Sequence, residues 1–522
     1  MKVLIPTSGI GSRLGNLTNF TNKALVRIGK KPAISYIVDN YPKNTEFVVT
    51  LGHYGDQVRQ YLGIAHPELK VTFIEVDKYT GTGSSLLYSI NCARDVLNEP
   101  FIFHACDSIV QYDAMPKQIV SNWLGGFPSS GSSHYRTFNA VGGRVSRLNE
   151  KGERESEYDY IGICGIKNHR AFWSNVDGII NRQDCPSDYE VIVAMMGEGT
   201  LFHSQVFSNW SDIGNMNSLK EARKSAKDSF NLLDKEDESI FMFNDKVIKF
   251  FYDDKICANR VSRAKLLGDK VPELLASSKN FYSYRHANGT ILPKIITPKK
   301  MKSLLEWADM NLWHEMSNDG SYTGRCNNFY HFKTINRIKK FLKSSGIEDK
   351  EEIINGELVP PALTLLEQID FNTLAAPKPS MFHGDFILEN ILESDNKFIL
   401  LDWRQDFGGS VEFGDFYYDL AKLNHNLTVD HDAIHQNLFQ SVSGDNGIRC
   451  QIMVPSINND CLDVLKQFCF TKGIDYDKIN ILTAIVWLNM SPLHEHPLDK
   501  FLYYFGRYHL YLAMKENFHN EN

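Results

Sequence analysis

The sequence predicts an α/β chain in two parts: an N-terminal open, mostly parallel sheet, then an α+β domain whose larger portion is helical. Three observations carry that expectation. Strand and helix signals alternate through residues 1–105, and such alternation implies parallel strands joined by right-handed crossovers. The texture changes near residue 230, where a charged stretch gives way to two short strand signals. From about residue 299 the pattern is mainly helical, interrupted by one strand pair across 390–402.

Taken in order, Val3 to Pro6 is a short apolar run entering a glycine-rich loop. Pro32 suits a helix start, and Ile34, Ile37, Val38 and Tyr41 follow at helical spacing. Glu46 to Leu51 is the next strand, Tyr54 to Leu62 a short helix, and Val71 to Val76 a strand. Ser84 to Leu97 reads as helix, closed by Pro100, and Phe101 to Ala105 as a fourth strand. Ligands of an open parallel sheet sit at the carboxyl ends of its strands, which points to the loops after Pro6 and Ala105. Met216 to Asp228 is a polar helix, and the charged segment after it a linker. Strands at 239–243 and 246–252 then flank Asn244-Asp245, a hairpin-type turn. The expected division is one domain over 1–228, a linker over 229–238, and a second domain over 239–522, itself split near 292.

At 522 residues, several cores are expected rather than one. A formal net charge of −7, with no basic stripe, argues against nucleic acid as a partner. The nine cysteines include no C-x-x-C pair, so neither a zinc site nor a disulfide framework is indicated. No apolar run approaches the roughly 20 residues of a membrane span. The N-terminus lacks signal-peptide character, so a soluble, cytoplasmic protein acting on a small molecule is expected. Its oligomeric state is open, a homo-oligomer included.

The first loop reads Thr7-Ser8-Gly9-Ile10-Gly11-Ser12-Arg13-Leu14-Gly15. Glycines let backbone N–H groups approach phosphate, and an arginine bridges phosphate oxygens. A dinucleotide G-x-G-x-x-G fails because Leu14 holds the third glycine position, and a Walker A lysine is absent. Further elements recur in order: Lys23, a small-residue loop at Gly81-Thr82-Gly83-Ser84-Ser85, Asp107 after the fourth strand, and Asp212 within Trp210-Ser211-Asp212. This set resembles the sugar-phosphate nucleotidyltransferases and their phosphocholine cytidylyltransferase relatives over roughly residues 1–225. The resemblance implies a Rossmann-like sheet, with Gly9, Gly11, Ser12, Arg13 and Lys23 binding triphosphate and Arg13 and Lys23 acting in catalysis. It also implies Gly81, Thr82 and Gly83 near the base, Mg2+ on Asp107 and Asp212, and Tyr160 to Ile166 with Glu190 facing the acceptor. The chain departs from the family pattern at Ala24 and Cys106, where proline and glycine are usual.

The second cluster is His383-Gly384-Asp385-Phe386-Ile387-Leu388-Glu389-Asn390. Its Asp-x-x-x-x-Asn spacing matches the kinase catalytic loop, in which the aspartate takes the hydroxyl proton and the asparagine holds Mg2+. A turn at Glu393 to Asn396 and the strand Phe398 to Asp402 return Asp402 beside Asn390, so both can share a metal. Asp406-Phe407-Gly408 matches D-F-G by letters alone, since no strand delivers it. With Gly414-Asp415 and Asp419, the pattern resembles the choline kinase and aminoglycoside phosphotransferase family over roughly 238–522. That implies a two-lobed, protein-kinase-like fold with His383 and Asp385 catalytic and Asn390 and Asp402 on metal. It further implies Lys249 on nucleotide phosphate, and Tyr284 within the adenine hinge of 282–292. No glutamate follows Lys249 in the next helix, which leaves Glu273 as a candidate partner. The aromatic tail (Trp487, Tyr503, Tyr504, Phe505, Tyr508, Tyr511) reads as helical core before it reads as a cation cage.

Together the two resemblances imply sequential chemistry: ATP phosphorylates a small hydroxyl compound, and a second nucleotide, CTP or UTP favoured, then activates the phosphate. The product would be a nucleoside-diphosphate sugar, polyol or aminoalcohol for surface glycans or lipids. The alternative is one transferase carrying a regulatory nucleotide-binding module.

Overall fold

The computed structural model describes residues 1–110, 115–153, 156–181, 185–226 and 235–520. Most of the expected linker, residues 229–234, lies outside them. The chain forms two compact units, one of Met1–Cys257 with Leu275–His286 and one of Ala258–Leu274 with Ala287–Asn522.

The first unit is built on a nine-stranded sheet. Its strands are β1 (Lys2–Pro6), β2 (Glu46–Leu51), β3 (Lys70–Glu75), β4 (Phe101–His104), β6 (Asn122–Pro128), β7 (Thr137–Val141), β8 (Arg144–Asn149), β9 (Tyr158–Ile166) and β10 (Phe202–Val206). Two more, β5 (Ser108–Val110) and β11 (Trp210–Asp212), pair separately. The sheet order is β3-β2-β1-β4-β9-β6-β10-β8-β7.

The half β3-β2-β1-β4 is parallel as expected, joined through α1 (Ala33–Asp39), α2 (Gly55–Ala65) and α3 (Leu86–Cys92). Beyond β4 the sheet is mixed rather than mostly parallel, because β9 runs antiparallel to both β4 and β6. The reason is connectivity: among the described residues no helix follows Phe101–His104 until α4 (His169–Ile179), and a parallel pair needs a crossover. The predicted helix over 84–97 also divides, with α3 ending at Cys92 and a 3-10 turn at Arg94–Val96.

A four-stranded sheet follows: β12 (Glu238–Met242), β13 (Lys246–Phe251), β14 (Leu274–Ser277) and β15 (Phe281–Arg285), in the order β12-β13-β15-β14. The hairpin predicted at Asn244-Asp245 is its first pair, with Met242 opposite Val247. The sequence assigns this sheet to the second domain, yet it packs on α2. Lys246 donates to the carbonyls of Ile64 (3.1 Å) and Ala65 (2.8 Å), which close the helix. Gln60 accepts from Ser278 and from the Asn280 backbone, both at 2.9 Å. Tyr61, fully buried, meets Phe241 edge-on and Phe281 at a tilt. The apolar cluster on that face of the large sheet runs on into Phe241, Ile248, Phe250 and Phe281. Change of composition marks a linker, whereas burial decides which elements share a core.

The second unit is mainly helical and holds a three-stranded sheet, β16 (Thr290–Ile291), β17 (Ile391–Ser394) and β18 (Lys397–Leu400), and a four-stranded sheet of Glu352–Ile354, Glu357–Val359, Phe439–Gly444 and Gly447–Ile452, where the sequence predicts a single strand pair. Its longer helices are Pro298–Asn311, Lys333–Ser345, Phe416–Thr428, Ser456–Lys472, Tyr476–Met490 and Leu498–Asn520. A π-helical turn, Asn327–Phe332, leads into the helix at Lys333. Trp487 and Tyr503 are core residues, bonded to His425 (2.7 Å) and Asp349 (2.8 Å). Among the described residues no helix is long and apolar enough to cross a membrane.

Candidate active sites

In the first unit, Thr7 carries β1 into the glycine loop, its amide and hydroxyl both held by the Thr50 carbonyl of β2. Asn22 ties the far end, donating to the carbonyls of Thr7 (2.9 Å) and His53 (2.6 Å) while accepting from the Ala24 amide. That anchoring presents Lys23 inward. Gly11 has φ 73°, and a Cβ there would meet the Lys23 Cβ at 3.0 Å, so the lysine stem passes where a larger residue would stand.

Asp107 and Asp212 are distant in the chain but adjacent in space. β5 and β11 pair antiparallel with Asp212 opposite Ser108, and the Ile213 amide donates to the Asp107 carbonyl at 3.0 Å. Both carboxylates face Gly214: a Cβ on that glycine would lie 2.9 Å from Asp212 Oδ1 and 3.2 Å from Asp107 Oδ2. Lys23 forms a short ion pair with Asp107. Burial pushes the Asp107 carboxyl up, but Lys23 and then Arg13 outweigh it, leaving the group below its usual range. The same pair holds Lys23 above the usual lysine range against the opposing effect of its burial. Burial raises the neighbouring Cys106 thiol to about 12, so it stays protonated.

Two cavities meet at Arg13 and Asp107. One, of about 400 Å³, is lined by Gly9, Gly11, Ser12, Lys23, Tyr79 and Ser85 among others. The other, of about 860 Å³, reaches Tyr135, Arg136, Tyr160, Asp188 and Asp212. Gly81, Thr82 and Gly83 line neither; both glycines have positive φ, and it is the flanking Tyr79, Ser84 and Ser85 that reach the smaller cavity. Glu190 also lies outside the cavities, bound instead in a capping box with Ser187 at the start of the helix Asp188–Gly197. The buried carboxyl on the larger cavity is Asp188, which accepts from Tyr160 at 2.7 Å and is raised chiefly by its burial. Sequence reading missed it because Ser-Asp-Tyr-Glu carries a helix-start signature that masks any other role.

In the second unit the loop after Phe382 is hung from Asp419. Its carboxylate accepts the amides of His383 (2.7 Å) and Gly384 (2.6 Å), and Trp313 donates to it at 3.1 Å. Burial raises Asp419 to about 6 despite those bonds. His383 donates Nε2–H to the Leu401 carbonyl at 2.8 Å and is held down to about 4, first by burial. His383, which the resemblance groups with the catalytic residues, is fully enclosed.

Asp385 Oδ1 pairs with Lys422 at 2.9 Å, and its Oδ2 accepts from Asn390 at 3.1 Å. Burial would raise the carboxyl, but Lys422 reverses the shift and keeps it below the usual range. The hairpin β17-β18, with Ile391 opposite Leu400, returns the chain so that the Leu401 amide donates to the Asn390 carbonyl at 2.7 Å. Asp402 follows with φ 56°, a conformation costly for a residue bearing a Cβ and concentrated at functional sites. Its Oδ1 pairs with Arg260 at 3.0 Å, so the helix that lacks a glutamate supplies an arginine to this carboxylate. Asp406 instead caps the Gly409 amide within a loop, and no strand leads to it. Lys249, buried on β13 opposite Tyr282, and Tyr284 on β15 belong to the first unit; Glu273 belongs to the second.

All four candidate metal ligands offer hard oxygen donors, the class Mg2+ takes. Among the described residues no three His, Cys, Asp or Glu side chains assemble into a metal cage. Paired carboxylates without a full cage suit Mg2+, which completes its shell with phosphate and water.

No protein family model matches the chain. A low-salt glycan biosynthesis nucleotidyltransferase of Haloferax volcanii is 29% identical over 116 residues, 21% of this chain and 31% of that protein. The chain thus spans about a third of the length of the curated relative it matches. Among solved structures, a UDP-glucose pyrophosphorylase complexed with UDP-glucose aligns with 43% of this chain and 97% of its own, at 15% identity and a TM-score of 0.37. The CTP:phosphocholine cytidylyltransferase of Streptococcus pneumoniae aligns with 43% of this chain and 99% of its own, at 17% identity and a TM-score of 0.38.

Proposed function

We propose that the first unit is a nucleotidyltransferase and the second a small-molecule kinase, acting in sequence on one compound. The observation that carries the reading is the meeting of two cavities at Arg13 and Asp107, one lined by the glycine loop and Lys23 and the other by Asp212 and mixed polar groups. An oxygen of a substrate phosphate attacks the α-phosphorus of a nucleoside triphosphate, the bond to the β-phosphate breaks, and pyrophosphate leaves. Arg13 and Lys23 neutralise the phosphates, the largest catalytic need when anions are brought together. Mg2+ on Asp107 and Asp212, and on Asn390 and Asp402, would supply further positive charge to the phosphates.

In the kinase reading, Asp385 takes the proton of the acceptor hydroxyl while Lys422 keeps that carboxylate ionised. Asp385, Asn390 and Asp402 on one hairpin-closed loop support it. The product is a nucleoside-diphosphate derivative destined for glycan or lipid synthesis.

A pyrophosphate-release screen tests the whole. Full-length protein with Mg2+ is given ATP, each of CTP, UTP, GTP and dTTP, and a panel of sugars, polyols and aminoalcohols. Release requiring an unphosphorylated compound and ATP is the expected result. Release only from phosphorylated compounds leaves the first activity standing and refutes the second. Asp385→Ala should abolish ATP consumption while leaving release from preformed phosphate intact.

A further inference from the structure

Beside Asp385 the second unit holds a small cavity of about 150 Å³ whose polar lining is strongly cationic. Lys333, Arg337, Arg404 and Lys422 all contribute, and no Asp or Glu lines it. Among the described residues only Lys422 of the four forms an ion pair with a carboxylate, that of Asp385. Arg337 donates to the Asn489 carbonyl at 3.2 Å and Arg404 to the Asp406 carbonyl at 3.1 Å, neutral acceptors that leave both charges uncompensated. Lys333 lies over the Phe329 ring at 3.3 Å, and Arg404 over the same ring at 4.9 Å. Among the described residues no carboxylate pairs with Lys333, Arg337 or Arg404.

Like charges gathered in a half-buried pocket oppose folding unless a counter-charge arrives. Burial, then Arg404 and Arg337, press Lys333 well below the usual lysine range, and the nearby Asp406 carboxylate offsets them only in part. The lining also includes the apolar side chains of Leu482, Ile485 and Leu493. The cavity is anchored to the catalytic loop at two points: Lys422 bonds Asp385, and the Arg404 amide donates to the His383 carbonyl at 3.0 Å.

We infer that the kinase acceptor is itself an anion: a small hydroxylated acid whose carboxylate or phosphate is held by Lys333, Arg337 and Arg404 while its hydroxyl faces Asp385. This inference rests on the kinase reading and narrows it, setting aside choline-like cations. The step is balanced: the acceptor oxygen bonds to the γ-phosphorus of ATP, its proton passes to Asp385, and the bond to ADP breaks.

The test uses full-length protein and matched sets: glycerol, D-glycerate and glycerol 3-phosphate; D-glucose, D-gluconate and glucose 6-phosphate; and choline. Binding is measured calorimetrically and turnover as ADP release, so the carboxylate and phosphate arms separate the two anion sources. An anionic member should exceed its neutral counterpart about 10- to 100-fold in kcat/KM, the value of a charge-assisted hydrogen bond. Lys333→Met should erase that preference, chiefly through KM, and Arg337→Lys should retain most of it. Removing a repelled charge should not lower the Tm of Lys333→Met, which separates lost binding from lost folding. Equal turnover of neutral compounds or choline, unmoved by Lys333→Met, overturns the inference and leaves the kinase standing. Anion binding lost in Lys333→Met, with no ADP formed from any compound, refutes the kinase and leaves an anion site. Neither binding nor turnover across the panel refutes both.

Discussion

Replacing Gly214 by alanine tests the first site with a single methyl group. The added Cβ would stand 2.9 Å from Asp212 Oδ1 and 3.2 Å from Asp107 Oδ2, while ordinary contact begins at 3.4 Å. Asp212 must therefore withdraw by about 0.5 Å and Asp107 by about 0.2 Å, spreading the two carboxylates. The movement also strains the bond by which the Gly214 amide fixes Asp212, now 2.9 Å. A misplacement of about 1 Å costs on the order of a hundredfold in rate, so a loss of ten- to a hundredfold in pyrophosphate release is expected. The half-saturating Mg2+ concentration should rise in parallel. Because the glycine has no positive φ, Tm should change little. The assay is pyrophosphate release with the best nucleotide and acceptor, titrated with Mg2+. Unchanged rate and unchanged Mg2+ dependence would show that the two carboxylates do not act as a pair, and the site assignment would fall.

Four further outcomes follow. Lys23→Met should cut pyrophosphate release at least a hundredfold, the order lost with one preorganised transition-state donor. Lys422→Met removes the largest effect that opposes burial of Asp385, so its pKa rises and the acid limb of ADP release should move to higher pH than in the parent. His104, fully buried, is held down to about 4 by burial, below the unfolded value, so the stability it contributes is present above pH 6.5 and lost as pH falls. That loss is about 1.5 kcal/mol between pH 6.5 and 5, and His104→Gln should remove it from the fall in unfolding free energy over that range, read by denaturant unfolding. Tyr61→Ala should destabilise the first unit by about 3–5 kcal/mol, read by denaturant unfolding, because the ring bridges α2 and the small sheet.

What was legible in the sequence is what short-range geometry dictates. The strands Lys2–Pro6 and Glu46–Leu51, the glycine loop between sheet and helix, and the turn that brings Asp402 back to Asn390 all depend on a few neighbouring residues. Each shows as a local pattern, an apolar run, a glycine cluster or a turn at hairpin spacing, even though Lys2–Pro6 and Glu46–Leu51 bond to each other across an intervening helix. The parallel half of the large sheet was equally legible, because alternating helices leave no other pairing. The antiparallel half was not: β9 chooses β4 and β6 as neighbours by burial on both faces, which no local pattern records.

The tertiary structure alone decided the rest. It set Asp212 against Asp107, seated the small sheet on α2, and gathered Lys333, Arg337, Arg404 and Lys422 around one cavity. It also enclosed His383 and turned Glu190 into a helix cap. In every such case the deciding quantity is burial or charge shared between segments far apart in the chain. Composition gives each residue its chemistry, but only packing decides which charges are left facing one another and which are left facing a substrate.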